Sequence, residues 1–127
     1  MTMAFLSRTY DEAMSLLVET RNYLSFRRQV DDTRIEPMDR LKLTRESFRL
    51  TSRLAQVMAW LMLRRAVVEG EIADDEARRP EHRLAGHDVC LGRADDLGDW
   101  LPEGMRGLLE RSQALYERVA RLDRLLS

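Results

Sequence analysis

Apolar and charged positions recur along this chain at helical intervals, and no stretch alternates in the way a strand requires. Tyr10, Met14, Leu17, Val18 and Leu24 return at three- and four-residue steps while Glu12, Glu19 and Arg21 are charged, which marks a helix with one apolar face ending near Arg28. Thr9 and Glu12 have the spacing of a capping box, so this helix is expected to start at Thr9. Residues 30–36 are polar and aperiodic and read as a connection. Pro37 suits a first helical turn, and neither proline nor glycine follows before Gly70, which permits one helix of about eight or nine turns. After a short turn near residues 73–79, residues 80–103 are broken by Pro80, Pro102, Gly86, Gly92 and Gly98 and read as a long surface loop. From Met105 the stripe Leu108, Leu109, Leu115, Tyr116, Val119, Leu122 and Leu126 predicts a final helix.

These segments predict an all-α chain, an antiparallel three-helix bundle with a long central helix and a long loop before the last one. Its helices fall near 9–28, 38–70 and 104–126. At 127 residues, one domain spanning 1–127 can bury about two thirds of its unfolded surface.

The faces of the central helix differ. Leu43, Leu50, Leu54, Val57, Met58, Leu61 and Val68 share one side at about 100° per residue, and form the expected core face. Arg45, Arg49 and Arg53 lie away from it, and the same side continues as Trp60, Leu63 and Val67, so it turns from charged to apolar along the helix. Arg45, Arg49 and Arg53 repel one another at four-residue steps and call for carboxylate partners, which makes them a candidate partner-binding surface. Trp60, Leu63 and Val67 need cover, either from the long loop through Leu91, Leu97 or Trp100, from the last helix, or from a second copy of the chain in a homodimer. Arg65 points toward the core side, where a salt bridge to Glu19 is expected.

Composition narrows the chemistry. Twenty-one basic residues against 22 acidic leave a net charge of -1, without the excess cation that generic nucleic-acid binding needs. A small helical nucleic-acid-binding protein using Arg45, Arg49 and Arg53 on phosphates is therefore the second reading. Cys90 is the sole cysteine, so no intramolecular disulfide forms, and a reducing cytoplasm fits. The N-terminus lacks the pattern of a signal peptide, and the apolar run at 57–63 is far short of the ~20 residues that span a bilayer.

His82, His87, Asp88 and Cys90 are metal-ligating residue types in one short stretch, but the paired spacing of structural zinc sites is missing, and a polar loop is the preferred reading. Asp95, Asp96 and Asp99 have no nucleophile or base beside them in sequence. No phosphate-binding glycine loop or dinucleotide fingerprint occurs. No enzyme, cofactor or metal is expected.

The central block ESFRLTSRLAQVMAWLMLRRAVVEGEI resembles the signature of the alphaproteobacterial family represented by the regulator of CtrA degradation. Matching positions include Glu46, Ser47, Arg49, Leu50, Thr51, Arg53, Gln56, Trp60, Leu61, Arg65, Glu69, Gly70, Glu71 and Ile72, with weaker similarity in the first and last helices. Two departures are Arg64, where the family has a neutral polar residue, and the sequence's stop at Ser127 without the polar tail of longer members. The resemblance implies a dimerising three-helix bundle that acts as an adaptor in regulated proteolysis. It implies work with the ClpXP protease, a response-regulator-like partner and a cyclic-di-GMP-binding protein to deliver the cell-cycle regulator CtrA.

Overall fold

The computed structural model describes residues 1–92 and 97–126. Among them the only regular structure is helical: α1 (Met3–Asn22), α2 (Arg28–Asp32), α3 (Pro37–Val68), α4 (Asp74–Ala77), α5 (His87–Cys90) and α6 (Glu103–Leu126).

The chain is helical earlier than the capping-box spacing predicts. Thr2, not Thr9, caps α1, its hydroxyl accepting from the Phe5 amide at 3.1 Å. Thr9 lies buried inside the helix and donates instead to the Phe5 carbonyl at 3.0 Å. At Tyr23–Arg27 the helix widens into a π-type turn and continues as α2. That wide turn carries the Tyr23 hydroxyl to Asp31, to which it donates at 2.7 Å. A Cβ at Gly104 would stand 3.1 Å from the Tyr23 ring, a tight contact, so glycine lets α6 start against Tyr23 without the ring having to give way.

α3 begins at Pro37, as its missing amide allows, and stops where Gly70 takes φ of 77°. The Glu71 amide reaches the Ala66 carbonyl at 2.9 Å and the Gly70 amide reaches Val67 at 3.1 Å, the paired bonds of a Schellman end.

Cross-links fix the directions. Glu12 pairs with Arg118 and Glu19 with Arg111, the latter bidentately at 2.8 and 3.0 Å, so α1 and α6 run antiparallel. Arg28 at the end of the first helical stretch reaches Ser47 near the start of α3, so α1 and α3 are antiparallel as well. α6 therefore runs in the same direction as α3, and the chain between them must travel back along the whole bundle. Leu6, Ala13, Leu16, Leu43, Leu50, Leu54, Val57, Leu61, Leu115 and Val119 form the core between the three long helices. Val68, expected on that face, is exposed at the last turn of α3.

Residues 69–102 are more than a surface loop. They hold α4, a 3₁₀ turn at Pro80–His82 and α5, and they bury Ala77, Leu84, Cys90 and Leu101. Periodicity missed this because each helical piece is about one turn long, too short to display a period.

Candidate functional site

The returning segment lies along the very side of α3 that changes from charged to apolar, and it contacts that side from one end to the other. At the distal end Trp60 is buried, its indole nitrogen donating to the Asp123 carboxylate at 3.0 Å, and Arg83 of the returning segment donates to the same carboxylate at 2.9 Å. Next, the Gln56 side-chain oxygen Oε1 accepts from the Ala85 backbone amide at 3.2 Å. Arg53 follows, and then Arg49, whose Nε donates to the Val89 carbonyl at 2.8 Å. At the proximal end Lys42 stands 5.9 Å from the Trp100 ring centroid.

Arg53 anchors this arrangement. Only 2% exposed, it donates to the Cys90 carbonyl at 2.7 Å and to the Leu109 carbonyl and Ser112 hydroxyl at 3.1 Å each. One guanidinium thereby ties α3 to α5 and α6, a task its fixed fork of donors suits. Arg49 and Arg53 both reach carbonyls in the last turn of α5, where helical carbonyls lack intrahelical partners and positive charge is favoured. Arg49 also pairs with the buried Glu46 carboxylate.

The proposed partner surface therefore has to be corrected. Of Arg45, Arg49 and Arg53 only Arg45 is exposed, while Arg49 and Arg53 are directed inward and hold the returning segment. No cationic face remains there for phosphates, and the nucleic-acid reading loses its basis. Trp60 is likewise covered within the chain, by Arg83, Leu84 and Asp123, so it is removed from the proposed dimer interface. Leu63 and Val67 are half-buried. Leu97 and Trp100 pack against the core while Leu91 stays exposed, so the cover comes from the loop, though at the distal end through other residues than those expected.

The buried arginine of the distal half is Arg64, not Arg65. Arg65 is exposed and pairs with Glu69 at 3.3 Å, and Glu19 is taken by Arg111. Arg64, 7% exposed, reaches Asp74 at 3.3 Å and so connects α3 to α4. Adjacent arginines stand 100° apart on a helix, so a modest rotation of the core axis decides which of the two is buried.

His82, His87 and Cys90 do not come together as ligands; among the described residues no group of three His, Cys, Asp or Glu side chains could hold a metal ion. His87 lies edge-on to Tyr116 with ring centroids 5.8 Å apart, and its Nε2 is 3.1 Å from the Leu84 carbonyl. Cys90 is fully buried beside Tyr116, and desolvation raises its pKa, which opposes thiolate chemistry. Burial also raises the pKa of Tyr116, whose hydroxyl donates to the Ala85 carbonyl at 2.7 Å. Asp95 and Asp96 lie outside the described residues, and Asp99 is exposed. A cleft of about 540 Å³ near the α2–α3 turn has walls of both charges, Arg27 and Arg34 facing Asp31, Asp39 and Asp99 beside Trp100.

With one side of α3 covered by the returning segment and another facing α1 and α6, its third side points outward. Leu41, Phe48 and Met62 on it are 64%, 68% and 60% exposed, and Ala55 and Ala59 between them are exposed too. Ser52 and Ala66 complete a stripe whose charged members are Arg45 near one end and Glu69 at the other. Leu41, Phe48, Ala55 and Met62 recur at seven-residue steps in the sequence, and the buried Trp60 sits on the neighbouring side.

Comparison with known proteins places this architecture. A family model described as a protein of unknown function, DUF1465, matches residues 1–127. Among solved structures, the crystal structure of RcdA from Caulobacter crescentus CB15 is 37% identical, covers 95% of this chain and 89% of its own, and superposes with a TM-score of 0.76. No curated protein matches.

Proposed function

Because the chain belongs to the DUF1465 family, that of the RcdA-like proteins, we propose that it is a non-enzymatic adaptor. In this reading it helps deliver a cell-cycle regulator to the ClpXP protease, as the regulator of CtrA degradation does, and works in the cytoplasm as a homodimer. One observation carries the proposal: identity to RcdA of 37% extends over 95% of the chain, so the likeness covers the whole bundle and its returning segment, beyond the central motif.

The disposition of side chains supports the same reading. The buried polar groups with chemical interest, Arg53, Glu46, Asp123 and Cys90, are engaged in holding the returning segment to the bundle. The faces left for work are helix surfaces, which suit contacts with other proteins. No helix is long and apolar enough to cross a membrane among the described residues.

The test is degradation in a reconstituted system from the source bacterium, with client and ClpXP present and this protein added or withheld. Faster client loss on addition is expected, together with cross-links from this protein to client or protease in cells. Unchanged degradation and no such cross-links would overturn the adaptor reading.

A further inference from the structure

The charged groups of the 540 Å³ cleft beside the α2–α3 turn are sorted by burial. Its arginines are the exposed ones: Arg27 has 57% of its side chain in solvent, and Arg34 is exposed as well. The Asp31 carboxylate, only 8% exposed, and the half-buried Trp100 ring lie deeper, beside the buried Leu101 and the half-buried Ile35 and Pro102. Asp39 is also partly buried, and its contact with Lys42, at 3.6 Å, is too long for a hydrogen bond. Glu36, Asp99 and Glu103 add exposed acids to the same walls.

Asp31 is only half satisfied. Its Oδ2 accepts from the Tyr23 hydroxyl at 2.7 Å. Its Oδ1 has the Arg27 Nε at 3.4 Å as an ion pair, and accepts no hydrogen bond from the described residues. A carboxylate has room for several donors, and a buried one left short of them is costly.

We infer that this cleft receives an arginine side chain from an extended segment of a partner protein, with apolar residues on either side of that arginine. The inference rests on the adaptor reading for the partner's being a protein, and adds the chemistry of the segment that docks. Acids outnumber cations on the walls, so the cleft favours a cation and disfavours an acidic peptide or a nucleic acid. A guanidinium can donate to Asp31 Oδ1 while its plane lies against the Trp100 ring, a ring that already has the Lys42 ammonium 5.9 Å from its centroid. Ile35, Leu101 and Pro102 supply apolar contact for the neighbouring residues. The volume is that of a small-ligand site and holds about two or three side chains. Arg27 does from within the chain what the partner's arginine would do better: it is exposed, its ion pair is therefore weak, and it can swing into solvent when displaced.

The experiment is a heteronuclear NMR titration of the intact protein with leucyl-arginyl-leucine blocked at both ends, and with its glutamine analogue. The chain has two tryptophans, so Trp60, buried elsewhere, is an internal control. The Trp100 indole and the Ile35 and Gly104 amides should shift with the arginine peptide while the Trp60 indole stays. The glutamine analogue should bind about tenfold more weakly. Asp31→Asn keeps an oxygen for the Tyr23 hydroxyl and should also weaken binding about tenfold, whereas Glu81→Gln, an equal charge change outside the cleft, should leave it unchanged. Glu36→Gln with Asp99→Asn, both at exposed positions, should weaken it about threefold and gives a second reading if Asp31→Asn fails to fold. Arg27→Ala should tighten it. Absence of shifts at Trp100, equal binding of the glutamine analogue, or an unchanged affinity in both acid-to-amide variants overturns the inference. If the peptide fails to bind while client degradation is still accelerated, this inference falls and the adaptor reading stands. If the peptide binds at Trp100 while degradation is unaffected, the cleft's specificity stands and the adaptor reading falls.

Discussion

Trp60 and Asp123, far apart in sequence, meet at 3.0 Å in the interior, the indole N–H donating to a carboxylate that also accepts from Arg83 at 2.9 Å. α3, α6 and the returning segment converge on one acidic side chain that is itself buried. A bundle in which α3 and α6 run the same way needs the 69–102 segment to come back along it, and this carboxylate holds the segment soon after it leaves α4.

Asp123→Ala should be costly for that reason. It leaves a buried indole N–H and a partly buried guanidinium without their acceptor, a loss of about 2–4 kcal/mol. Trp60→Phe removes one donor, keeps most of the ring volume, and should cost about 1–2 kcal/mol. Urea unfolding followed by circular dichroism measures both; an Asp123→Ala midpoint equal to wild type would show that the carboxylate is not holding the segment.

Arg53 and Arg45 differ in burial, and so should their variants. Arg53→Leu removes the donors to Cys90, Leu109 and Ser112 and should lower stability by about 3 kcal/mol or more. Arg45→Ala changes an exposed side chain and should alter monomer stability by no more than about 0.5 kcal/mol. The two unfolding curves, recorded below the concentration at which chains associate, check the contrast.

The sequence made the helices legible because each long one repeats its apolar stripe many times, and Pro37 and Gly70 bracket α3 with backbone chemistry that reads directly. What it hid was the destination of residues 69–102. Their helical pieces are about one turn each, and their anchoring is done by arginines whose charge suggests solvent. Arg49 and Arg53 looked like a binding surface because a guanidinium that ends on backbone carbonyls leaves no carboxylate partner in the sequence to betray it. The stripe through Phe48 and Met62 was readable from spacing alone, but its exposure became known only once the returning segment was seen to lie on the adjacent side.

Gly86 tests how tightly that segment is held. It precedes α5 with φ of 78°, and a Cβ there would meet Cys90 Sγ at 3.3 Å. Gly86→Ala combines left-handed backbone strain with a close contact and should cost about 1–2 kcal/mol. Amide exchange should rise in residues 84–92 more than in α1; a uniform rise would mean that the segment unfolds only with the whole bundle.

Alkaline pH should destabilise the protein in two stages. Burial raises the pKa of Cys90 in the fold, and likewise those of Tyr23, beside Asp31, and Tyr116. For an acid whose folded pKa lies above its unfolded one, the neutral form is favoured by folding, so its contribution is complete below the unfolded pKa and fades as pH rises past it. The unfolded thiol titrates near about 8.5 and the phenols near about 10, so stability should hold from neutrality to about pH 8, then fall, and fall faster above about pH 10. Cys90→Ala should remove the first decline and leave the second, because the tyrosines still cannot ionise without exposing their rings. Denaturant midpoints at closely spaced pH values, run on both proteins, measure this directly. A wild-type midpoint that stays level to pH 10 would mean the thiolate is tolerated beside the Arg53 guanidinium, which acts to lower the Cys90 pKa against the effect of burial.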